Sequence, residues 1–77
     1  QPDRAVAPLE RALAMADGAD PGSVAETLYG LGRALYESGR DRARGRALVE
    51  QAAAQMRGDA RMQQLYGELR AWQRRHR

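Results

Sequence analysis

Five residue types are absent from this chain of 77 residues, namely Cys, Lys, Asn, Ile and Phe. Without cysteine the chain can form neither a disulfide nor a thiolate metal site, and it has no cysteine nucleophile. Its one histidine, His76, cannot build a zinc site alone. No apolar run reaches 18 residues and no signal-peptide pattern opens the chain, so we expect neither a membrane-spanning nor a targeting segment. We therefore expect a cytoplasmic location, and we expect the chain, which begins at Gln1, to be a piece of a longer protein.

Groups that could perform catalysis are also few and scattered. A chain of this length hides only about 60% of its unfolded surface on folding, which leaves little room for a buried cofactor pocket beside the core. The ten carboxylates stand singly, and most lie next to or one helical turn from an arginine, as in exposed ion pairs. Ser23 and Ser38 fall at predicted helix boundaries, where capping explains them. We therefore predict one domain over residues 1–77 that is not an enzyme and holds no cofactor or metal.

Arginine dominates the charge of the chain. The 13 arginines and ten acidic residues give a net charge of +3 and an isoelectric point near 10.2. A genome rich in G and C explains Arg in place of Lys, so the overall charge is weak support for nucleic-acid binding. The distribution is more informative, because residues 1–39 hold three Arg and six acids, net −3, whereas residues 40–77 hold ten Arg and four acids, net +6. The second half is therefore expected to attract acidic partners, more strongly at low salt.

Breaks that contain glycine divide the chain into four segments of similar length, at residues 18–22, 38–40 and 57–58. No segment alternates apolar and polar residues over the length of a strand, and β-branched residues are nearly absent. The sequence therefore predicts an all-α fold with four antiparallel helices. Their predicted positions are near residues 4–17, 23–38, 41–57 and 59–75.

Capping residues predict where the helices begin and end. Ser23 followed three residues later by Glu26 is typical of a capping box, so the second helix is predicted to begin at Ser23. Gly39 is predicted to end that helix in the left-handed conformation. Asp41 and Asp59 are predicted to cap the third and fourth helices.

Apolar spacing predicts which face of each helix is buried. In the second helix this face holds Val24, Leu28, Leu31 and Leu35, and in the fourth it holds Met62, Leu65, Leu69 and Trp72. The third helix has a face of mainly small residues, which permits close approach of a neighbour: Ala43, Ala47, Leu48, Ala52 and Met56. Because proline costs about 3 kcal/mol inside a helix, Pro8 places the start of the first helix near Arg4, with a kink at Pro8 as the alternative.

The second and fourth helices are alike in sequence. Residues 28–34 (LYGLGRA) recur at 65–71 (LYGELRA), with five of seven positions identical at an offset of 37. The first and third segments match at an offset of 40 through Glu10/Glu50, Ala12/Ala52, Ala14/Ala54 and Gly18/Gly58. A period near 37 residues made of two helices is typical of an α-solenoid, in which each helix pair packs on its neighbours to hide its apolar face.

The central part of the chain resembles a tetratricopeptide repeat. The residues that carry the similarity are Ala25-Glu26, Leu28, Leu31-Gly32, Ala34-Leu35-Tyr36, Gly39-Arg40 and the small-residue helix over 43–54. The resemblance implies a four-helix α-solenoid fragment of helix-turn-helix repeats. In it, residues 1–20 would be the second helix of a partial repeat, 23–57 one full repeat, and 59–77 the first or capping helix of the next.

A narrower similarity points to the parent protein. The segment Ala7 to Ala14, the Gly-Ala-Asp-Pro loop, residues 39–44 and the tail Arg70-Ala71-Trp72 are similar to the C-terminal repeat arrays of large serine/threonine kinases from high-GC bacteria such as myxobacteria. The catalytic motifs of a kinase are absent from the chain. The resemblance implies a protein–protein interaction module at the end of a larger signalling protein.

In the tetratricopeptide family the first helix of each pair lines a concave face, and its non-core positions contact an extended peptide. Matched through Leu31-Gly32 and its copy Glu68-Leu69, these positions fall on Glu26, Tyr29, Arg33, Tyr36, Gln63, Tyr66, Arg70 and Gln73. Arginine suits carboxylates and tyrosine supplies rigid contact area, so the expected partner is a protein or an acidic or C-terminal peptide. The alternative is that these tyrosines only pack between helices and these arginines are only solvated.

Two other interpretations stay open at this stage. Trp72 either belongs to the core or anchors a partner. The basic run beside it would form a phosphate-binding patch with a stacking ring, as in proteins that bind single-stranded nucleic acid, although no nucleic-acid motif is present. That run holds Arg70, Arg74, Arg75, His76 and Arg77.

The first helix gives a different alternative, a structural tail that binds no peptide. Because its own partner helix would be missing, Val6, Leu9 and Leu13 are expected to be partly uncovered. Exposed apolar residues of this kind predict a homodimer, or contact with another chain, through this face of the first helix.

Overall fold

The chain forms four α-helices in the computed structural model, which describes residues 2–15 and 20–76. The helices are α1 (Pro2–Ala14), α2 (Pro21–Ser38), α3 (Arg42–Met56) and α4 (Gln63–Arg75), with a 3-10 turn at Ala60–Met62 before α4. No β-strand occurs among the described residues, which confirms the all-α prediction. Residues 16–19, at the predicted end of the first helix and in the loop after it, and Arg77 of the basic run lie outside the described residues.

The first helix begins at Pro2, two residues before the predicted start at Arg4. Proline fits the first turn of a helix because its ring fixes φ near −65°. The N–H groups of the first turn have no acceptor within the helix, so the missing N–H of proline costs no helical hydrogen bond there. α1 also continues through Pro8. Pro8 is exposed, so water can reach the carbonyl group that this proline leaves without a helical hydrogen bond.

The second helix is capped by Asp20, so the capping box predicted at Ser23 and Glu26 is wrong. The Asp20 carboxylate accepts a hydrogen bond from the Ser23 N–H at 3.3 Å, and Pro21 takes the first helical position. Aspartate at the cap followed by proline is a start signal that acts two residues before Ser23. Ser23 therefore lies in the first turn, where its carbonyl accepts a hydrogen bond from the Thr27 hydroxyl at 2.9 Å.

The turn between α2 and α3 confirms the predicted end signals. Gly39 has a φ of 75°, the left-handed conformation that glycine adopts at little cost, and its N–H donates to the Tyr36 carbonyl. Asp41 then caps α3 by accepting a hydrogen bond from the Arg44 N–H at 3.0 Å. This short turn makes α2 and α3 an antiparallel pair with the most extensive contact in the fold.

The buried face of α3 agrees with the predicted one only in part. Leu48, Ala52 and Met56 are buried as predicted, but Ala43 and Ala47 are exposed. The buried residues of α3 are Gly45, Leu48, Val49, Ala52, Ala53 and Met56. A Cβ added at Gly45 would lie 2.6 Å from the Gly32 carbonyl oxygen, and a Cβ added at Gly32 would lie 2.6 Å from the Gly45 carbonyl oxygen. The two backbones therefore meet directly, and this glycine contact, rather than the two predicted alanines, sets the side of α3 that is buried.

The fourth helix begins later than predicted, because Asp59 caps the 3-10 turn and not α4 itself. The Asp59 carboxylate accepts a hydrogen bond from the Arg61 N–H at 2.9 Å. α4 begins at Gln63, whose side-chain amide donates to the carbonyls of Met56 and Asp59 at 3.2 and 2.8 Å. The Met56 carbonyl at the end of α3 also accepts from the Asp59 N–H, and the Asp59 carbonyl also accepts from the Met62 N–H. The Gln63 amide therefore adds a second donor to each carbonyl and ties the start of α4 to the end of α3.

The core lies between α2 and the three other helices, and the predicted faces of α2 and α4 are confirmed. Six of their eight residues are buried and the other two, Val24 and Leu65, are half-buried. On α1, Leu9 and Leu13 are half-buried as predicted, but Val6 is only 3% exposed, so the prediction that Val6 is partly uncovered is wrong. Leu9 lies against Gly30, which has no side chain, so α1 approaches α2 closely enough to cover Val6.

Contacts at both ends of α4 fix its direction. Met62, just before α4, lies near Gly22 at the start of α2, and Trp72 packs on Tyr36 near the end of α2. α4 therefore runs in the same direction as α2 and opposite to α3.

Ion pairs connect the first helix to the region where α2 ends and α3 begins. Arg40 lies 3.5 Å from Asp3, and Arg44 lies 3.0 Å from Glu10. Both pairs are exposed, so each contributes at most about 1 kcal/mol to stability. The apolar contact through Val6 is therefore the main attachment of α1.

Candidate functional site

The eight residues predicted to line a peptide groove have different surroundings. On α2, Glu26 and Arg33 are exposed, Tyr36 is half-buried and Tyr29 is buried. On α4, Gln63 and Arg70 are exposed, and Tyr66 and Gln73 are half-buried. The contacts of each residue decide whether its side chain is available to a partner.

Arg33 is held against the surface of α2. Its guanidinium carbon lies 5.4 Å from the centroid of the Tyr29 ring, and its Nε lies 3.6 Å from the carboxylate of Glu37, one turn later. Burial raises the pKa of the Tyr29 phenol above its ordinary value, and the positive charge of Arg33 opposes that rise only in part. The pair therefore presents a positioned cation over a neutral phenol ring.

Three of the four predicted residues on α4 are hydrogen-bonded to α3 or to the segment just after it. The Gln63 amide donates to the two carbonyls described above, and the Arg57 Nε–H donates to the Tyr66 hydroxyl at 3.4 Å. The Gln73 amide donates to the Glu50 carboxylate at 3.0 Å. These contacts attach α4 to α3 and use part of the hydrogen-bonding capacity of three of the eight predicted residues.

Tyr36 belongs to a cluster of three rings. Its ring meets those of Trp72 and His76 edge to face, at centroid distances of 5.3 and 5.2 Å, and the Trp72 and His76 rings are stacked at 4.3 Å. The Trp72 Nε1–H donates to the Glu37 carboxylate at 2.9 Å. Trp72 is only 2% exposed, which confirms the core interpretation of this residue. Its ring is not available to stack on a ligand.

Two arginines of α3 cover the outer side of this cluster. Arg42 and Arg46 place their guanidinium carbons 5.4 and 5.8 Å from the centroid of the Tyr36 ring. Nδ1 of His76 lies 2.8 Å from the Trp72 carbonyl oxygen, and because a carbonyl can only accept, Nδ1 carries the hydrogen. The His76 ring is thus fixed on the tryptophan, and the arginine charges lie around an aromatic base.

A surface cavity of about 260 Å³ lies between α3 and the last turns of α4. It is lined by Arg46, Glu50, Arg70, Trp72, Gln73, Arg74 and His76. Arg70 and Gln73 belong to the predicted groove set, and Arg74 and His76 to the predicted basic run. The structure brings members of the two sets together here.

Sequence reasoning missed the α3 side of this cavity. Arg46 and Glu50 are four residues apart, so they lie on one face of the helix. That spacing predicts that the two side chains share a face, but it does not predict which neighbouring helix the face contacts. The neighbour is α4, because the turn after α3 directs α4 back along α3.

A second cavity, of about 290 Å³, lies between the start of α2 and the 3-10 turn. It is lined by Asp20, Gly22, Ser23, Glu26, Asp59, Arg61, Met62 and Leu65. Hydrogen bonds from the Arg61 side chain and backbone lower the pKa of the Asp59 carboxyl, and the two side chains form an ion pair at 3.2 Å. Asp20 and Asp59 are both engaged in helix capping here. No group of three or more potential metal ligands occurs among residues 2–15 and 20–76.

Within the described part of the chain, no helix combines the length and the apolar character that crossing a membrane requires. The similarity to the tetratricopeptide repeat stays a prediction that rests on the sequence. Comparison of this chain with protein-family models, with curated proteins and with solved structures gave no match.

Proposed function

We propose that this chain is a non-catalytic protein–protein interaction module of the tetratricopeptide-repeat type, a piece of an α-solenoid that ends a larger bacterial signalling protein. The observation that carries the proposal is the equivalence of α2 and α4. Leu28 and Leu65 are 37 residues apart, as are Leu35 and Trp72, and all four lie in the core or pack against it. In a solenoid, repeated sequence positions take up repeated structural positions.

The path of the chain supports the same proposal. α2 and α4 run in one direction and touch near their ends, and α3 runs in the opposite direction against both. An array of antiparallel helix pairs has this alternation, and each added pair would continue it. Further repeats of the parent protein would extend the surface that α2 and α4 share.

On this surface Arg33 is the residue best placed to recognise a partner. Its side chain is 46% exposed, yet it is positioned by Tyr29 and by Glu37. A carboxylate of an acidic peptide or of a C-terminus would accept hydrogen bonds from the guanidinium. Because the side chain is already held, less conformational entropy is lost on binding.

The test is selection from a display library of acidic and C-terminal peptides, with the 77-residue chain as bait. We expect enriched peptides to carry carboxylates and to lose binding to the Arg33→Glu variant. The matched control is Arg4→Glu, which makes the same charge change at an exposed arginine of α1. Circular dichroism checks that both variants keep the helix content of the wild type.

Two outcomes would contradict the proposal. One is a selection that enriches nothing over a scrambled library. The other is equal loss of binding in Arg33→Glu and Arg4→Glu, because it would show that only overall charge matters.

A structural tail that dimerises is the second candidate, and one observation favours it. Leu9 and Leu13 of α1 are half-buried, and Met15 after the helix is 81% exposed. A second copy or another chain would cover these side chains. Sedimentation equilibrium would then show a mass that rises with concentration, and Leu13→Gln would abolish the rise. A strict monomer at high concentration would exclude a homodimer through this face.

A further inference from the structure

The arginines of this chain fall into two groups by their partners. Four of them lie within 4 Å of a carboxylate: Arg33, Arg40, Arg44 and Arg61. The three that line the cavity between α3 and α4 have no such ion pair with any of the described residues: Arg46, Arg70 and Arg74. Three of the eight described arginines that have no carboxylate partner in this part of the chain therefore line one cavity.

The cavity keeps a positive charge after its own carboxylate is counted. Its three arginines and Glu50 together give a net charge of +2. The Glu50 carboxylate accepts a hydrogen bond from the Gln73 amide, so part of the hydrogen-bonding capacity of Glu50 is already used. A ligand with two negative charges would balance the charge that remains.

Two of the three guanidinium groups are positioned in advance. Arg46 lies against the Tyr36 ring, and Arg70 donates to the Gln73 side-chain oxygen at 2.9 Å. Each of these contacts occupies only part of a guanidinium group, which has five N–H donors. The remaining donors are available to an oxyanion, and less side-chain entropy is lost when it binds.

The size of the cavity limits what can bind. At about 260 Å³ it is smaller than the roughly 300–1,000 Å³ of sites for drug-sized molecules, so it suits a single polar group better than a whole cofactor. A phosphate monoester carries about −1.5 to −2 charges at pH 7 and has three acceptor oxygens. Its oxygens match the forked donors of arginine, and its charge matches the cavity better than that of a single carboxylate.

We propose that the cavity between α3 and α4 is a binding site for a phosphate monoester, held by Arg46, Arg70 and Arg74. The group would come from a phosphorylated side chain of a protein partner or from a free organic phosphate. Nucleic acid fits less well, because the Trp72 ring is buried and covered by His76 and so offers no stacking surface to a base. This inference does not rest on the peptide surface at Arg33, and either can fail without the other.

The experiment is an NMR titration of the 77-residue chain, at constant ionic strength and in a buffer free of phosphate. The probes are inorganic phosphate, phenyl phosphate, and one serine peptide in phosphorylated and unphosphorylated forms. We expect saturable shifts of the Nε–H signals of Arg46, Arg70 and Arg74. Arg74→Gln should weaken binding about tenfold, because one charge-assisted contact is lost.

Arg74→Gln is the most informative variant because the side chain has no hydrogen bond or ion pair to the described residues, so the fold should be retained. Arg46→Gln should weaken binding to a similar extent. Arg4→Gln is the matched control, because it removes the same charge from an exposed position on α1 and should leave the affinity unchanged.

The probes distinguish the two sources of phosphate. Tighter binding of the phosphorylated peptide than of phenyl phosphate supports a protein side chain, and equal binding supports a free organic phosphate. The proposal is overturned if no probe gives saturable shifts or if Arg4→Gln weakens binding as much as Arg74→Gln. It is also overturned if a single-stranded oligonucleotide displaces every probe at much lower concentration, since that would assign the cations to nucleic acid.

Discussion

Gly32 of α2 and Gly45 of α3 lie back to back, and a Cβ added to either would be 2.6 Å from the carbonyl oxygen of the other. The Cβ at Gly45 would also lie 2.9 Å from the Tyr36 backbone nitrogen. Because these neighbours are backbone atoms, they cannot move aside as the end of a flexible side chain can. The antiparallel pair of α2 and α3 therefore depends on both glycines.

We expect Gly32→Ala and Gly45→Ala each to lower the free energy of unfolding by about 1–3 kcal/mol, as overpacked cores do. For a chain of this length, with a total stability of about 4–12 kcal/mol, such a loss is large. Urea unfolding followed by circular dichroism measures it. The matched control is Gly67→Ala in α4, where the added Cβ meets no atom within 4 Å and alanine should stabilise the helix by about 0.5–1 kcal/mol. Equal effects at the three positions would contradict the close contact.

We expect Trp72→Phe to destabilise the fold by about 1–3 kcal/mol, because it removes the hydrogen bond to Glu37 and part of the buried ring. Glu37→Gln keeps an acceptor oxygen and should cost less. Thermal unfolding by circular dichroism compares the two variants. A loss in Glu37→Gln as large as that in Trp72→Phe would show that the carboxylate, and not the ring, is the important member of the pair.

The Asp59 carboxylate should make stability depend on acid pH. Its pKa is lower in the folded chain than the ordinary value of 3.8, owing to the hydrogen bonds from Arg61, so it contributes stability above that ordinary value. That contribution is lost as the pH falls through the lowered pKa. We expect Asp59→Asn, which keeps the capping oxygen but not the charge, to reduce the difference in unfolding free energy between pH 7 and pH 3. An unchanged difference would be evidence against this role.

Gly39 is expected to be hard to replace because of its φ of 75°. A side chain in the left-handed conformation costs roughly 1–2 kcal/mol, so Gly39→Ala should lower the free energy of unfolding by about that amount. Gly58→Ala is the control, since that glycine also lies in a turn with open space around it but without a positive φ. Chemical denaturation of both variants gives the comparison, and a similar loss at Gly58 would exclude backbone strain as the cause.

Local signals in the sequence predicted much of the helical structure. Gly39 and Asp41 act within one helical turn of their own positions, and the α2 stripe from Leu28 to Leu35 is made of large side chains with clear spacing. The start of α2 was predicted at Ser23 because residues 18–22 were assigned to a break between helices, so Asp20-Pro21 was not used as a start signal. Both Asp20-Pro21 and the Ser23-Glu26 pattern are local signals, and the sequence alone did not separate them.

The buried face of α3 could not be predicted in the same way. Alanine is small enough to occur on either face of a helix, so Ala43 and Ala47 gave a misleading pattern. What decides the face is the contact between two glycines on different helices, which no local pattern contains. Arg46 and Glu50 were absent from the predicted site for the same reason. The glycine contact sets which side of α3 faces α2, and this in turn sets which side faces α4.

The predicted groove came from the resemblance and was mapped by an offset of 37. That offset gives equivalent positions along α2 and α4, but it does not give the neighbours of each helix. Both arginines are exposed, but Arg33 contacts Tyr29 and Glu37 of its own helix, whereas the equivalent Arg70 lines a cavity between α4 and α3. Equivalent positions therefore have different chemical surroundings at the last helix.

The glycine contact between α2 and α3 also bears on the order of events in folding. Gly32 and Gly45 are close in sequence and joined by a short turn, whereas the hydrogen bond from Trp72 to Glu37 spans 35 residues. Contacts between residues that are near in sequence form sooner, because a smaller loop must close. We therefore expect α2 and α3 to associate as an early hairpin and Trp72 to dock afterwards. The single tryptophan of the chain is then a natural reporter of the last stage of folding, and its fluorescence should change after most of the helical signal has formed.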